Sequence, residues 1–398
     1  MVHAYHALVL NMHQPPGNIM DLMAKEPWEA KQILYCYDRV LRALSGYEDI
    51  AHVHIVFSGT LLEQLADPRV QEQCYGTVKL GDMLWSYRNK AIEFLATCYF
   101  HPVVPLIPRE DWDAQIERWL GLGRHLFDWK HFAGFWPPEM GFCMEMIPPL
   151  KRFGFEFVIV DSDYIEPEFP LKWEEIRYRP HRVQHEGYEI IVVPRDRELS
   201  DAQEAGMDPG WFAYEVGERT RCCDFPPLVT TCTDGDNGGW FRNTSWKGNF
   251  WGHFFRPLME WYRKGSLAIT PVKIIDYIYQ NPPRDYVTVK SGGWNTRWHH
   301  GRDFTQWTGS LLQHRGLEEI NRVSTRYHEM SGLIQQKGKD NHQEIRKLMD
   351  EAYTYILSSE TSCNFFWGST WVYKSFDALE KAERILDEVA RMIELLKR

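Results

Sequence analysis

Most of the short apolar runs in the N-terminal two-thirds of the chain are followed directly by a polar or ionisable side chain. In chain order these side chains are His13, His101, Glu139, Asp163, Arg195, Asp234 and Asp236. A strand that only stabilises the fold does not need such a group at its end. In a β/α barrel, by contrast, the active site is formed at the carboxyl ends of the strands. The pattern therefore predicts one polar site assembled from distant segments.

The acids and donors in this set suit the cleavage of a glycosidic bond. That reaction uses one carboxyl group to attack the sugar carbon or hold a water, and another to protonate the leaving oxygen. The two tasks need different pKa values, so donors surround the first group and apolar or anionic groups surround the second. Arg195 and the histidines can supply donors. Trp136, Trp240 and Trp251 can supply apolar walls.

Each residue also has an ordinary structural explanation. A single histidine after a strand is more often a hydrogen-bonded structural residue, and Asp234-Gly235-Asp236-Asn237 has the composition of a tight turn. That loop lacks the Glu that a calcium loop carries at its twelfth position. The sequence has no HExxH motif, and a zinc site would have to be assembled from distant segments. We therefore predict no metal.

Seven apolar, β-branched runs predict strands that are buried on both faces, as in parallel sheets. They are residues 7–12, 53–57, 92–99, 132–136, 155–160, 190–193 and 228–232. Helix-like stretches lie between several of these runs, at residues 29–44, 78–91 and 112–126. The alternation predicts an α/β fold whose β/α units close into a barrel. Residues 178–185 predict an additional hairpin strand.

The pattern changes after about residue 290, where apolar residues recur at helical spacing up to the C-terminus. We therefore predict a barrel domain over residues 1–290 and an all-helical C-terminal domain over residues 291–398, packed on the barrel. No repeat or low-complexity linker separates the two parts.

Composition narrows the partners and the cellular location. The formal net charge is −10 and long basic clusters are absent, which argues against nucleic acid or anionic lipid. No run of about 18 apolar residues predicts a membrane span. The first residues lack the pattern of a signal peptide, so we predict a cytoplasmic location.

The 17 tryptophans in 398 residues are a weak indication of a carbohydrate ligand, because sugar rings stack on aromatic faces. Nothing in the sequence indicates the oligomeric state.

Five short segments, in order along the chain, resemble the motifs of glycoside hydrolase family 57. They are His13-Gln14-Pro15, Glu93 followed by Tyr99-Phe100-His101-Pro102, Trp136-Pro137-Pro138-Glu139, Asp234-Gly235-Asp236-Asn237, and an aromatic stretch over residues 294–307 that contains His299 and His300. Asn364-Phe365-Phe366-Trp367 also resembles a late segment of the family.

The resemblance implies a distorted (β/α)7 barrel with an all-helical C-terminal domain, and a retaining, two-step reaction on α-glucan without a cofactor. It implies that Glu139 is the nucleophile and that Asp234 is the general acid and base, with their carboxyl groups about 5–6 Å apart. The predicted substrate-binding residues are His13, Glu93, His101, Trp136, Asp163, Arg195, Asp236, Trp240 and His299.

Several activities fit this resemblance. An α-amylase and a 4-α-glucanotransferase share a glycosyl-enzyme and differ in whether water or a sugar attacks it. Trp240, Trp246 and Trp251 could form a platform for an acceptor sugar. A branching enzyme and an α-galactosidase are the alternatives within the family. A catalytically silent glucan-binding protein is the alternative from another class.

Overall fold

The computed structural model describes residues 3–74, 79–129, 131–294, 304–336 and 343–395. The strands in these ranges are β1 (Ala4–Met12), β2 (Val53–Phe57), β3 (Ile92–Phe94), β4 (Gly134–Phe135), β5 (Phe157–Asp161), β6 (Ile165–Pro167), β7 (His181–His185), β8 (Tyr188–Arg195), β9 (Leu228–Asp234), β10 (Ile269–Pro271) and β11 (Val287–Val289). The α-helices are α1 (Asn18–Lys25), α2 (Pro27–Leu44), α3 (Gly59–Ala66), α4 (Pro68–Cys74), α5 (Leu80–Ser86), α6 (Arg109–Phe127), α7 (Ile147–Arg152), α8 (Trp173–Tyr178), α9 (Arg197–Glu204), α10 (Pro209–Thr220), α11 (Gly238–Arg242), α12 (Arg256–Arg263), α13 (Ile274–Gln280), α14 (Thr305–Thr308), α15 (Leu311–Gln336), α16 (Gln343–Ser359), α17 (Ser362–Phe366) and α18 (Ser369–Leu395).

Seven parallel strands form a distorted barrel in the part of the chain that the structure describes. β9, β1, β2 and β3 pair side by side, and β4, β5 and β8 form a second parallel group. A parallel bridge between Ala96 and Phe135 joins the two groups on one side. On the other side, the Asp196 backbone N–H donates to the Thr230 carbonyl at 2.9 Å. These strands lie within or overlap the seven predicted runs, so the predicted distorted (β/α)7 barrel of the α/β class is confirmed.

Local sequence explains where several strands end. β4 is short because Trp136 is followed by Pro137 and Pro138, which have no N–H for a strand ladder. β2 leads into α3 through Ser58, whose hydroxyl accepts a hydrogen bond from the Leu61 N–H at 3.2 Å and so caps the helix. Turns of this kind leave the following polar residues at the carboxyl end of the barrel.

Three predicted elements differ from the structure in their extent. β3 covers only the first part of the predicted run 92–99. The described part of the predicted helix 78–91 is α5, which is followed by a turn at Asn89. There the Asn89 amide donates to the Ser86 carbonyl and accepts from the Ala91 N–H, so it competes with the helix for backbone partners. The predicted hairpin strand begins three residues later than expected, and β7 pairs antiparallel with β8.

The long helices α15, α16 and α18 pack against one another after the last strand. One continuous apolar cluster contains Val9 and Val56 of the barrel together with Val323 and Ile356 of these helices. The described C-terminal residues are helical, as predicted, whereas the division into two domains at residue 290 stays a prediction. Among the described helices, none combines the length and the apolar character needed to cross a membrane.

A buried polar network joins the barrel to the C-terminal helices. The carboxylate of Asp111 on α6 accepts hydrogen bonds from Ser324 (2.5 Å), His328 (2.7 Å) and Tyr353 (2.9 Å). Burial raises the pKa of Asp111, but hydrogen bonds from His328, Glu360 and Ser324 outweigh it and lower that pKa. Burial and the charge of Asp111 raise the pKa of Glu360 well above its usual value, so Glu360 is the protonated partner.

Replacing Asp111 with Ala is expected to lower the free energy of unfolding by roughly 3–5 kcal/mol, because several buried donors lose their common acceptor. Urea unfolding would measure the change. The matched control is Asp113→Ala on the same helix, where a surface pair with Arg152 is 49% exposed on both sides. That variant should lose no more than about 1 kcal/mol. A similar, small loss in both variants would contradict the prediction.

Candidate active site

Glu139 lies in a strained turn at the carboxyl end of β4. The turn Pro138–Met140 follows two prolines, and Glu139 and Met140 both have positive φ angles, 56° and 51°. Residues other than glycine adopt this left-handed region at a cost, and such strain is concentrated at functional sites. The Glu139 side chain is 16% exposed, so it reaches solvent while most of its surface is covered.

Two distant segments supply hydrogen-bond donors to the Glu139 carboxylate. The Trp294 indole N–H donates to Oε2 at 2.6 Å, and the Ser362 hydroxyl donates to Oε1 at 2.7 Å. The backbone N–H of Trp294 also donates to the Glu139 carbonyl at 2.9 Å. Gly293 permits this approach, since a Cβ at that position would lie 2.7 Å from the Glu139 carbonyl oxygen. The carboxylate is therefore held in one orientation.

Asp234 ends β9 beside the end of β1. In the parallel register Asp234 lies opposite Asn11, whose amide donates to its Oδ1 at 3.0 Å. Burial raises the pKa of Asp234. The hydrogen bonds from Asn11 and Asn237 and the positive charge of Arg195 lower it, but burial has the larger effect. The carboxyl group thus favours its protonated form more than an exposed aspartate does.

Glu139 and Asp234 interact electrostatically. Burial raises the pKa of Glu139 to about 7, although the hydrogen bonds from Ser362 and Trp294 favour the carboxylate. The negative charge of Asp234 contributes to this rise. This contribution is the smallest of those acting on Glu139, and it favours the protonated form of Glu139 while Asp234 is ionised.

Two stacked histidines lie beside Glu139. The rings of His13 and His101 are 4.0 Å apart and nearly parallel, at 8°. His101 Nδ1 is 3.3 Å from the Ser362 hydroxyl and 3.7 Å from Glu139 Oε1. Burial lowers the pKa of His101 to about 3 and that of His13 well below its usual value, so both rings are neutral. Among the described residues, the buried atoms His13 Nδ1 and His101 Nε2 have no hydrogen-bond partner.

The sequence of residues 7–290 matches the model of the family described as glycosyl hydrolase family 57. The chain belongs to glycosyl hydrolase family 57. It is 30% identical over 197 residues to an α-amylase from Pyrococcus furiosus, a match that covers 48% of this chain and 26% of that protein. It is 28% identical over 192 residues to a 4-α-glucanotransferase from Thermococcus kodakarensis, covering 48% of this chain and 26% of that protein. These matches thus span about a quarter of the length of either relative.

The fold is shared with solved structures of family 57 type. A branching enzyme from Pyrococcus horikoshii is 16% identical and superposes with a TM-score of 0.72, over 98% of this chain and 88% of that one. Because the identity is low, this likeness shows the common fold alone. It agrees with the parallel strands and the described C-terminal helices.

Glu93 is the family-motif residue that the structure does not bring into the site. It pairs with His54, near the start of β2, and lies three residues before the bridge at Ala96. Its Oε2 is 3.8 Å from His54 Nε2, and the charged groups that act on it are Lys273, Asp276 and Glu156 rather than Glu139. The expectation that Glu93 binds sugar is therefore corrected, because a motif does not show at which end of its strand a residue lies.

Arg195 and Asp163 are engaged by other protein groups. All three nitrogen atoms of the buried Arg195 guanidinium donate within the protein, to the Cys232 carbonyl (3.0 Å), Asp161 (3.2 Å) and Asp201 (2.9 Å). Asp163 accepts from a further arginine, Arg177, at 2.8 Å. The Arg195 side chain is only 2% exposed and that of Asp163 only 8%, so neither offers the accessible surface expected of a direct sugar contact. Arg195 instead acts on Asp234 through its charge.

Asp236 is buried beside Asp234 and is also held within the protein. Its Oδ2 accepts from the Tyr37 hydroxyl at 2.7 Å and from the Gln14 amide at 3.4 Å. Burial and the charge of Asp234 raise the pKa of Asp236 to about 7. The structure therefore corrects its assignment as a direct sugar contact, since almost no surface of Asp236 is accessible.

The tryptophans of the predicted site have different environments. Trp136 is buried with its ring edge-on to Trp294, at 5.5 Å, and its indole nitrogen has no partner among the described residues. Trp240 is half-buried, 5.5 Å from the ring of His253, and its sugar contact stays a prediction. Trp251 is fully buried, so it cannot form the predicted acceptor platform. His299 lies outside the described residues.

Sequence reasoning missed three residues that contact the two acids: Asn11, Trp294 and Ser362. Asn11 could have been found, because it is the last-but-one residue of the first apolar run and lies two residues before His13. Trp294 begins the aromatic stretch that resembles the family. Ser362 lies two residues before the late family segment, but nothing in its local sequence indicates a contact with residue 139.

In the described part of the chain, no group of three His, Cys, Asp or Glu side chains is arranged to hold a metal ion.

Proposed function

We propose that this chain cleaves α-1,4-glucan through a covalent glycosyl-enzyme, and that water or a second sugar completes the reaction. The observation that carries the proposal is the pair of acids: a carboxylate oriented by two donors, and a second, half-buried acid whose charge acts on it. Retaining glycosidases need this combination. The names of the similar proteins, α-amylase and 4-α-glucanotransferase, support α-glucan as the substrate.

In the first step, a carboxylate oxygen of Glu139 attacks the anomeric carbon of the sugar. The bond from that carbon to the glycosidic oxygen breaks, and the proton of Asp234 passes to the leaving oxygen. Burial of Asp234 favours the protonated form that this step requires. Trp294 and Ser362 hold the Glu139 carboxylate, so little reorientation is needed as the bond forms.

In the second step, Asp234 acts as a base. Its carboxylate takes a proton from water or from an acceptor hydroxyl, whose oxygen bonds to the anomeric carbon and releases Glu139. The neutral rings of His13 and His101 stack beside Glu139, with His101 Nδ1 3.7 Å from its Oε1, and pack against the carboxylate without adding charge. Water as the acceptor gives hydrolysis, and a sugar gives transfer.

Incubation with maltoheptaose, followed by chromatography of the products, tests this proposal. Shorter sugars alone would indicate an α-amylase activity, and longer sugars in addition would indicate a 4-α-glucanotransferase. Linkage analysis would detect the α-1,6 bonds of a branching enzyme, and an α-galactoside would test the remaining family activity. Binding of maltoheptaose without any product, by folded protein, would contradict the proposal and favour a silent glucan-binding protein.

The pH dependence of kcat/KM tests the environment of Glu139. Because the nucleophile must be ionised and its pKa is raised to about 7, activity is expected to fall as the pH drops below about 7. Ser362→Ala removes a hydrogen bond that favours the ionised form, so the pKa rises. The acid limb of the profile should move to higher pH by about one unit.

Profiles for the wild type and the variants on maltoheptaose would measure this shift. Ser358→Ala is the matched control, because that half-buried hydroxyl donates to the Tyr355 carbonyl at 2.8 Å instead. Its acid limb should coincide with that of the wild type. An acid limb that stays in place in Ser362→Ala, or moves to lower pH, would refute the assigned environment of Glu139.

A further inference from the structure

A buried glutamine, Gln115 on α6, links two segments of the chain that both reach Glu139. Its side chain is inaccessible to solvent. The Oε1 atom accepts a hydrogen bond from the Phe100 backbone N–H at 2.9 Å. The Nε2 atom donates to Glu360 Oε2 at 2.7 Å and to the Leu357 carbonyl at 3.2 Å. Both polar atoms of this amide are therefore engaged, one with each segment.

The two segments that Gln115 links meet again beside the proposed nucleophile. The first segment continues into His101, whose Nδ1 is 3.7 Å from Glu139 Oε1. The second segment continues into Ser362, whose hydroxyl donates to the same oxygen at 2.7 Å. The Ser362 backbone N–H also donates to the His101 carbonyl at 3.0 Å. Gln115 thus lies behind a contact on which the orientation of Glu139 depends.

The backbone at His101 needs such support. His101 has a positive φ angle of 57°, a conformation that costs free energy in residues other than glycine. It persists only where the surrounding contacts hold the backbone in place. The Gln115 amide holds the N–H of the preceding residue, Phe100, while Ser362 holds the His101 carbonyl. Removing the amide would leave the buried Phe100 N–H without an acceptor and release one side of this turn.

The same amide matches the charge state of Glu360. Glu360 is buried, and in its protonated form it hydrogen-bonds to the Asp111 carboxylate. Its Oε2 atom therefore serves as an uncharged acceptor for the Gln115 amide. A glutamine suits this position because it is neutral, donates to one segment and accepts from the other. Methionine has a similar length but can make neither of these contacts.

We infer that Gln115 is a positioning residue: it fixes the His101 and Ser362 segments against each other and so holds the Glu139 carboxylate in its attacking orientation. This inference rests on the proposed function for the role of Glu139. Because Gln115 is buried, it acts through these two segments and not through a contact with substrate.

Kinetics on maltoheptaose test the effect of Gln115 on the reaction. Gln115→Met is expected to lower kcat about tenfold and to change KM by no more than about twofold, because the nucleophile is misaligned while the surface that binds sugar remains. Gln115→Glu is the conservative variant, since a protonated acid keeps one acceptor and one donor at this position. It should restore kcat to within about threefold of the wild-type value.

Tyr353→Phe is the matched control, because it weakens the same contact between α6 and the C-terminal helices. It removes a hydroxyl that donates to Asp111 at 2.9 Å and leaves both hydrogen-bonding atoms of Gln115 in place. It should lower the urea midpoint of unfolding while kcat on maltoheptaose stays unchanged. An equal loss of kcat in Tyr353→Phe and Gln115→Met would overturn the inference, because weakening the contact would then be enough.

The pKa of Glu139 reports its environment without any turnover. Protein labelled with ¹³C at the glutamate carboxyl carbon would be titrated by NMR, with Glu139→Gln used to assign the resonance. Burial raises the wild-type pKa to about 7, and a weaker hydrogen bond from Ser362 should raise it by about a further half unit in Gln115→Met. When Ser362→Ala is already present, Gln115→Met should add no more than about 0.2 units, because it acts through that hydrogen bond.

This titration separates the inference from the proposed function. A Glu139 pKa that stays in place in folded Gln115→Met protein would overturn the inference, even where α-glucan is cleaved. A pKa that rises only while Ser362 is present, in a protein that cleaves no α-glucan, would support the role of Gln115 and overturn the proposed function. If Gln115→Met does not fold, Glu360→Leu removes the acceptor of the Gln115 amide from the other segment. The same rise is expected there, and an unmoved pKa would equally overturn the inference.

Discussion

Glu139→Gln is expected to lower kcat on maltoheptaose by about a thousandfold or more, because the amide cannot form the glycosyl-enzyme. The residual rate would come from binding and from Asp234 alone. The matched control is Glu145→Gln, an exposed acid in the segment that follows the same turn. It should keep kcat within about twofold, since surface charges at this distance are screened. A rate near that of the wild type in Glu139→Gln would show that Glu139 is not the nucleophile.

The stability of the same variant shows whether the loss is chemical. Burial raises the pKa of Glu139 to about 7, above its unfolded value, so ionisation of Glu139 destabilises the folded state as the pH rises from about 4.5 to about 7. The amide does not ionise. Urea unfolding should therefore show the variant gaining stability relative to the wild type as the pH rises through this range. A variant that unfolds in buffer would make the kinetic loss uninformative, and this measurement detects it.

Asp234→Asn is expected to lower kcat on maltoheptaose by about a hundred- to ten-thousandfold, the usual contribution of a general acid and base. The loss should depend on the leaving group. The 4-nitrophenolate of 4-nitrophenyl α-maltoside leaves without a proton, so the first step survives while the second lacks its base. We therefore expect a rapid burst of nitrophenolate followed by slow turnover.

The neighbouring acid provides the control for Asp234. Asp236→Asn keeps the side-chain shape, and the Tyr37 hydroxyl can still donate to its amide oxygen. We expect a loss of no more than about tenfold and no burst, since Asp236 is buried away from the substrate. If Asp236→Asn rather than Asp234→Asn produced the burst, the two roles would have to be exchanged.

The barrel could be predicted because its strands are buried on both faces. Mainly apolar runs such as Val53–Phe57 predict buried parallel strands, and the carboxyl ends of these strands lie at one end of the barrel. The two acids follow from the same logic: Glu139 and Asp234 each come at or directly after a strand end. That both acids come to the carboxyl end of the barrel therefore needed only the topology, not the details of packing.

The contacts of the site could not be predicted from the sequence, because they depend on packing between distant segments. Ser362 reaches Glu139 only because its backbone N–H donates to the His101 carbonyl at 3.0 Å and docks α17 on the barrel. Arg195 has the right residue type at the right strand end, yet Asp161 and Asp201 use its donors. Spacing along a chain does not reveal how many partners a side chain already has.

Composition also does not show which aromatic residues are exposed. Trp251 and Trp367 are the same residue type in aromatic surroundings, but one is fully buried and the other is half exposed. The difference arises because Trp251 lies in the apolar core with Phe250 and Phe255, whereas Trp367 comes after α17 has ended. Tertiary packing decides which tryptophans can meet a sugar.

The most direct test of the account is to trap the covalent intermediate and locate it. Asp234→Asn protein would be mixed with an activated 5-fluoro glucosyl fluoride, whose slow second step accumulates the glycosyl-enzyme, then digested and analysed by mass spectrometry. The account predicts one glycosyl group on the peptide that contains Glu139, and no label when Glu139→Gln is added. A glycosyl group on another side chain, or a product whose anomeric configuration is inverted, would contradict it.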